Sequence, residues 1–484
     1  MRHLLTAVLL AVSLLAIASS PGSKSTRNKK QEAASCIFRV YLTDKQGSNF
    51  QLSRPGAFLS RRAIERRRRQ QLAVDSTDLP VSAQYRKLVA REGFDVIGQS
   101  RWQNTLLVRA ADSALIDRLQ KLPFVSGTRM VWKEPDTVKT SSRTNYAEEF
   151  LLRDSVEGQK YGTAYEQIGC MGGDNLHSLG LRGKGMMIAV IDGGFKNADR
   201  IPCIQKIDIR GWRDFVDPDE PKLFAETDHG TKVLSVMGVN EPFYFIGTAP
   251  EASYWLLRSE DQHTEQEVEE DYWTMAAEFA DSVGCDVINS SLGYSEYDHK
   301  WMSYRLWQLD GKTAFISRSA AMLAGKGMIL VNSAGNSGMG PWKKIGVPAD
   351  ADNILAVGAI NDMPTRRIAP FSSVGPSQDG RTKPDVVAIG APARVVNGRG
   401  GITSGMGTSF AAPVVCGMVA CLWQSMPQKS ACEVMDMIRM NSNNFMHPDN
   451  IYGYGLPNFW LAFIKYVEAE HVSPYWEKTT FYTE

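Results

Sequence analysis

The chain reads as an α/β protein: a largely parallel sheet with helices on both faces, preceded by a small α+β module. Three observations carry this reading. From residue 161 onward, short apolar runs recur at 186–191, 254–257, 287–289, 328–332 and 354–357, with helical stretches between them at 272–283 and 319–326. Strands buried on both faces read as continuous apolar runs, and a parallel pair needs a crossover the length of a helix, so this alternation predicts a sheet between helical layers. Residues 410–423 carry no charge, which predicts a helix buried on all sides. Residues 36–133 follow a different pattern. Strand-like runs at 37–42, 94–97, 105–109 and 124–132 enclose helical runs at 60–71 and 83–92.

The elements follow in chain order. Residues 1–20 have a basic start, an apolar run over 4–17 and small residues at Ala16 and Ala18, the pattern of a cleaved signal peptide. A secreted or periplasmic protein is expected, without a lipid anchor, since no cysteine stands at the cut. No later apolar run is long enough to span a bilayer, so no membrane span is expected. Residues 21–35 form a polar linker. The arginine run from Arg61 to Arg69 is open to three readings, a processing site, a nucleic-acid patch or a solvated basic helix face; the last is expected. Residues 134–160 are polar and mixed in charge, an exposed linker. Past Tyr466 only a short polar and aromatic tail is expected, with no room for a sorting or adhesion domain.

A length of 484 residues allows two or three domains, and 43% hydrophobic with 22% charged residues is the balance of a globular protein. The net charge of +1 gives no global pull toward nucleic acid. The seven cysteines fit no zinc spacing. Cys285, Cys416 and Cys421 lie in apolar runs and are expected to be buried thiols. A Cys170–Cys203 pair stays open, and the odd count leaves at least one thiol unpaired within the chain.

Three motifs carry chemistry. In Gly405-Met406-Gly407-Thr408-Ser409-Phe410-Ala411-Ala412-Pro413 a serine stands at the mouth of the buried helix, with Pro413 expected just inside the helix start, where a missing N–H costs little. Alone, Ser409 reads equally as a helix cap. Asp192 ends the apolar run at 186–191 and is placed at the carboxyl end of a strand, where open α/β sheets hold their sites. His229 follows Asp228 at the head of a small, helix-compatible run. A serine nucleophile needs a base, and the base needs a group to fix its tautomer. Asp192, His229 and Ser409 supply that set, in the chain order of the subtilisins.

These motifs resemble the subtilisin-like serine proteases. Further matches run in family order over residues 160–465: Gly247-Thr248-Ala249-Pro250, Asn289-Ser290-Ser291-Leu292-Gly293, Ser333-Ala334-Gly335-Asn336, Phe371-Ser372-Ser373-Val374-Gly375-Pro376 and Lys383-Pro384-Asp385. The Asp192-Gly193-Gly194 motif departs from the commoner Asp-Thr/Ser-Gly but keeps the carboxylate. The resemblance implies a subtilisin-like fold and a secreted endopeptidase acting on protein or peptide substrates. It divides the chain into a signal peptide (1–20), a linker (21–35), an inhibitory pro-domain (36–135), a processing linker (136–160), a catalytic domain (161–470) and a tail (471–484). The pro-domain would act as an intramolecular inhibitor of a self-processing zymogen. The resemblance gives Asn336 and the Ser409 N–H as oxyanion donors, and Ser291, Leu292, Gly293, Ala334 and Gly335 as pocket walls. The glycines suggest room for a large side chain. Glu269, Glu270 and Asp271 read either as ordinary helix-start acids or as selectors of a basic substrate residue. No cofactor is required. Calcium is common in the family, yet no calcium loop is visible, and the acids at Asp214, Asp217, Asp219, Glu220, Asp350 and Asp352 are expected in solvated turns. Two alternatives remain: a catalytically silent peptide-binding relative, and a maturation protease dedicated to one partner protein.

Overall fold

The computed structural model describes residues 35–111, 113–135, 159–362 and 366–476. The expected signal peptide, most of both linkers and the end of the expected tail lie outside the described residues.

The N-terminal unit contains β1 (Cys36–Leu42), α1 (Arg61–Arg69), α2 (Ala83–Arg91), β2 (Asp95–Ser100), β3 (Thr105–Ala110), α3 (Ile116–Gln120) and β4 (Val125–Lys133). Its sheet has the order β2-β3-β1-β4, antiparallel throughout. Strand alternation sends Phe38, Val40, Leu106 and Val108 into the unit's own core, where Tyr85 stacks on Phe124 at 4.1 Å. The opposite face carries Ile37, Leu107 and Val131, which join a core of the second unit.

The arginine helix α1 is not the solvated face its composition suggests. Arg66 and Arg67 are 0% and 1% exposed. Arg66 pairs with Asp281, and Arg67 with Asp78 at 2.9 Å and with Asp281 at 2.9 Å. Carboxylates and carbonyls of the second unit replace water around them, while Arg68 remains on the solvent side with Glu65.

The second unit runs through α4 (Tyr165–Gly169), α5 (Gly173–Ser178), β5 (Met187–Asp192), α6 (Pro202–Gln205), β6 (Asp208–Asp214), α7 (His229–Gly238), β7 (Asn240–Glu241), β8 (Phe245–Ile246), β9 (Ser253–Arg258) and α8 (Val268–Val283). It continues with β10 (Val287–Ser290), α9 (Phe315–Met322), β11 (Ile329–Ser333), β12 (Leu355–Asn361), β13 (Val386–Ala391), β14 (Ala393–Val396), β15 (Ile402–Gly405), α10 (Thr408–Ser425), α11 (Ala431–Met440) and α12 (Phe459–Trp476). The main sheet has the order β13-β12-β11-β10-β5-β9-β6, and every neighbouring pair is parallel. Two of its strands carry no signal in the apolar runs above. β6 is an edge strand with four charged residues, Asp208, Arg210, Arg213 and Asp214, and β13, itself apolar, follows a loop rich in prolines and polar residues. Ile188, Val190, Leu256 and Val331 face the core around α7 and α10; Ala189, Ile191, Leu257 and Leu330 face the core around α8 and α9.

α10 is the buried helix read from its composition. Among the described residues it is the one helix long and apolar enough to cross a membrane, and 83% of it is buried inside the protein. Pro413 does not sit at the helix start: it is the sixth residue of α10 and lies inside it. Cys170, Cys203, Cys285, Cys416, Cys421 and Cys432 are free thiols, so Cys170 and Cys203 are not joined.

Candidate active site

β5 has β10 on one side and β9 on the other, so the strand order reverses around it and opens a crevice at the carboxyl ends. Asp192 ends β5 there, 1% exposed. His229 is the first residue of α7, and Asp228 before it ties the helix start to the loop at Gly398. The Asp228 carboxylate accepts from the Gly398 N–H at 2.9 Å and pairs with Lys232 at 2.8 Å. Burial works to raise that carboxyl, but these two partners outweigh it and hold it low. The His229 Nδ1 lies 2.8 Å and 2.9 Å from the two Asp192 oxygens. Asp192 Oδ1 also accepts from the Gly193 N–H at 2.8 Å. A buried carboxylate bonded in this way fixes the imidazole tautomer with its proton on Nδ1 and leaves Nε2 as an acceptor.

Ser409 is the second residue of α10, and the ring of Phe410 beside it lies 5.5 Å from that of His229. Ser409 Oγ donates to the Ser291 carbonyl at 3.1 Å. The reverse contact has a clear cause. Pro413 has no N–H to give the Ser409 carbonyl four residues back. The Ser291 hydroxyl donates there instead, at 2.8 Å, and itself accepts from Asn289 Nδ2 at 3.0 Å. Ser291 therefore braces the first turn of α10.

Asn336 Oδ1 accepts from both the N–H and the hydroxyl of Thr408, each at 2.9 Å, and Thr408 Oγ1 accepts from the Gly335 N–H at 3.2 Å. With its oxygen engaged twice, the amide presents its NH2 end as the donor. Gly335 has φ +108°, and a side chain there would meet Ser373 Oγ at 2.9 Å, so glycine is required on both counts. Beside Asn336 lies a cavity of about 80 Å³, lined among others by Gly293, Ala334 and Gly335. Tyr294, Ser295, Ser333, Ser337, Gly346 and Ser373 complete it; Ser333 and Ser373 fall in the motifs read from the sequence, and nothing in sequence spacing singles out the others. Leu292 turns its side chain into the core, and its carbonyl accepts from Asn332 Nδ2 at 3.2 Å. A larger cleft of about 390 Å³ opens between the two units around Phe58, Arg101 and Phe279, away from these residues.

The remaining acids have other partners. Glu270 is buried; its carboxylate accepts from the hydroxyls of Tyr297 (2.7 Å) and Tyr304 (2.5 Å) and from the Ile316 N–H (2.9 Å). Burial, with the charge of Glu267, pushes its carboxyl up to about 7. Asp271 binds Arg39 of the N-terminal unit at 2.6 Å. Asp214 and Asp350 are not solvated turn acids. Asp214 is buried on Arg258 at 2.9 Å and accepts three backbone N–H groups, and Asp350 is buried against Ser317 and Gly311, with burial pushing its carboxyl up to about 6. Among the described residues no three His, Cys, Asp or Glu side chains gather as a metal-binding set.

Residues 183–455 match the subtilase family, and residues 37–148 match the peptidase S8 propeptide domain of Bacteroidota. Subtilisin NAT of Bacillus subtilis subsp. natto is 29% identical over 291 residues, covering 59% of this chain and 68% of that one. Subtilisin Savinase of Lederbergia lenta is 28% identical over 283 residues, covering 58% and 92%. The alkaline protease of Shouchella clausii is 28% identical over 283 residues, covering 58% and 65%.

Proposed function

The chain belongs to the subtilase family and is a serine endopeptidase with a propeptide domain ahead of its catalytic domain; from this premise we propose that Asp192, His229 and Ser409 are its catalytic triad and that it is a zymogen which cuts itself. The observation that carries the triad is the seat of His229. Its Nδ1 rests on both oxygens of a buried Asp192, at the mouth of the helix that bears Ser409. His229 takes the Ser409 proton as Oγ attacks the scissile carbonyl, and returns it to the leaving amine. Asp192 holds the imidazolium that forms between these steps. The tetrahedral oxyanion receives the Asn336 NH2, set in place by Thr408 before the substrate arrives, and the Ser409 N–H at the start of α10. Gly293, Ala334 and Gly335 border the pocket for the residue whose carbonyl is cut.

The propeptide domain supports the zymogen reading through the end of β4. Lys133 exchanges two hydrogen bonds with the buried amide of Gln266, at 2.8 and 2.9 Å, just ahead of α8. The outgoing chain is thus delivered to the catalytic domain before the linker begins. The first cut falls between Glu134 and Tyr161 and depends on Ser409. Residues 1–20 and the propeptide fit an exported enzyme, secreted or periplasmic. A fluorophosphonate probe tests the triad: it should label wild-type protein covalently and leave Ser409→Ala unlabelled and with its propeptide uncut. Equal labelling of the two, or normal cutting of the purified variant, removes the assignment.

A further inference from the structure

The propeptide domain holds α8 at both ends. At the N-terminal end, Arg39 binds Glu267 (3.1 Å) and Asp271 (2.6 Å), and Arg129 binds Glu267 (2.6 Å). Between the ends a single hydrophobic core crosses the boundary, with Ile37, Trp102, Leu107 and Val131 packed among Trp273, Ala276 and other residues of the catalytic domain. The C-terminal end is taken by a separate arm, the segment 54–78 between β1 and α2. A helix C-terminus carries unpaired carbonyls and a partial negative charge. The arm answers both. Arg66 donates to the Cys285 carbonyl and pairs with Asp281; Arg62 donates to the Gly284 carbonyl at 2.8 Å and pairs with Asp286. Arg101 adds a third cation on Asp281 at 2.7 Å. Gly284, at φ +95°, has no side chain where Arg62 lies; a Cβ would stand 2.7 Å from it.

The arm then reaches beyond α8. Arg62 donates to the Gly185 carbonyl at 2.8 Å, Gln70 bridges the Gly327 carbonyl (2.9 Å) and the Ala431 N–H (3.0 Å), and Lys326 meets Asp78 at 3.2 Å. Gly185, Asp286 and Gly327 precede β5, β10 and β11. The arm therefore lies at the starting edge of the parallel strands, whereas Asp192, Ser291 and Asn336 lie at or beyond their finishing edge.

We infer that α1 and its flanking turns are an anchor that keeps the propeptide domain on the catalytic domain after the linker is cut, so that the mature enzyme is a two-chain complex. The inference rests on the zymogen reading above, and it has four physical grounds. The anchor occupies a face remote from the cleft, so its hold does not depend on a peptide lying in the active site. A core shared across the boundary has the character of an obligate interface. Arg39, Arg66, Arg67, Asp78 and Asp281 are at most 1% exposed, Asp271 and Glu267 are 4% and 3% exposed, and charge pairs so removed from water are little screened by salt. Two footholds on one rigid helix also make loss of either one reversible before the other opens.

The test separates this inference from self-processing. The full Ser409→Ala chain, with the recognition sequence of an unrelated site-specific protease placed within residues 136–158, is cut by that protease. It is then run on a size-exclusion column at micromolar concentration in about 0.15 M and about 1 M sodium chloride. Both fragments should co-elute in both salts; separate elution of the propeptide fragment overturns the inference, whatever the fate of the triad. Truncating one partner of a buried charge pair acts on the off-rate, so Arg66→Ala/Arg67→Ala should release the fragment about 30-fold faster or more. Where that variant does not fold, Arg62→Glu, which sets a second acid against the buried Asp286, carries the same test with about tenfold faster release. Arg109→Glu, whose partner Asp95 lies within the propeptide domain, should release at the wild-type rate. Equal rates for all variants would remove the arm from the role.

Discussion

Replacing Ser291 by alanine should weaken the head of α10, and restoring an N–H at residue 413 should repair it. The Ser409 carbonyl is buried and its helical partner is missing because residue 413 is proline; the Ser291 hydroxyl is the donor it has. Leaving such a group unpaired costs about 1–3 kcal/mol. Ser291→Ala also strips Asn289 Nδ2 of the oxygen it donates to at 3.0 Å, a second loss of about the same size. The single variant should therefore lose about 2–6 kcal/mol of stability in all. Pro413→Ala supplies the backbone N–H that the Ser409 carbonyl lacks, so the double variant should recover the carbonyl's share and not that of Asn289. A double-mutant cycle measured by urea unfolding, in a Ser409→Ala background to prevent self-digestion, should give a coupling equal to the carbonyl's share, about 1–3 kcal/mol. With Ser409 intact, kcat should fall in Ser291→Ala by as much as about 10²-fold, since a small displacement of the nucleophile is costly, and rise again in the double variant. Strictly additive stabilities would show that Ser291 does not replace the missing helical bond.

Asn336→Ala should lower kcat by about 10²–10³ with little change in KM, the size known for the oxyanion-hole asparagine of subtilisin; a change confined to KM would make Asn336 a binding residue. His177 sets an acid limit on stability. Its ring is buried, with Nε2 on the Thr248 carbonyl at 3.0 Å, and burial lowers its pKa from 6.5 to about 4. The folded state thus refuses a proton that the unfolded state accepts, so stability is lost as pH falls from about 6.5 to about 4, by as much as about 3 kcal/mol. His177→Phe keeps a ring on Tyr161, while the Cys421 thiol still serves the Thr248 carbonyl at 3.1 Å. Urea unfolding across that pH range should be less steep in pH for the variant, and an unchanged slope would refute the assignment.

Elements whose signals are local were legible in the amino-acid sequence. The apolar runs became β5, β9, β10, β11 and β12, the uncharged run became α10, and the carboxylate closing one strand came to lie against the histidine opening one helix, because strand ends and helix starts are written in adjacent residues. Edge strand β6 left no such signal, since a strand with one neighbour need not be apolar. Tertiary structure decided whatever depends on partners far along the chain. A run of arginines has one composition whether water or carboxylate surrounds it, and only the approach of α8, more than two hundred residues away, buried Arg66 and Arg67 on Asp281. The same holds for Asp214 and Asp350, turn acids until Arg258 and Ser317 enclose them. Pro413 and Ser291 make the point at the site itself. The missing N–H is visible in the sequence, but the hydroxyl that replaces it stands over a hundred residues earlier, brought there because β10 and α10 meet at the crevice.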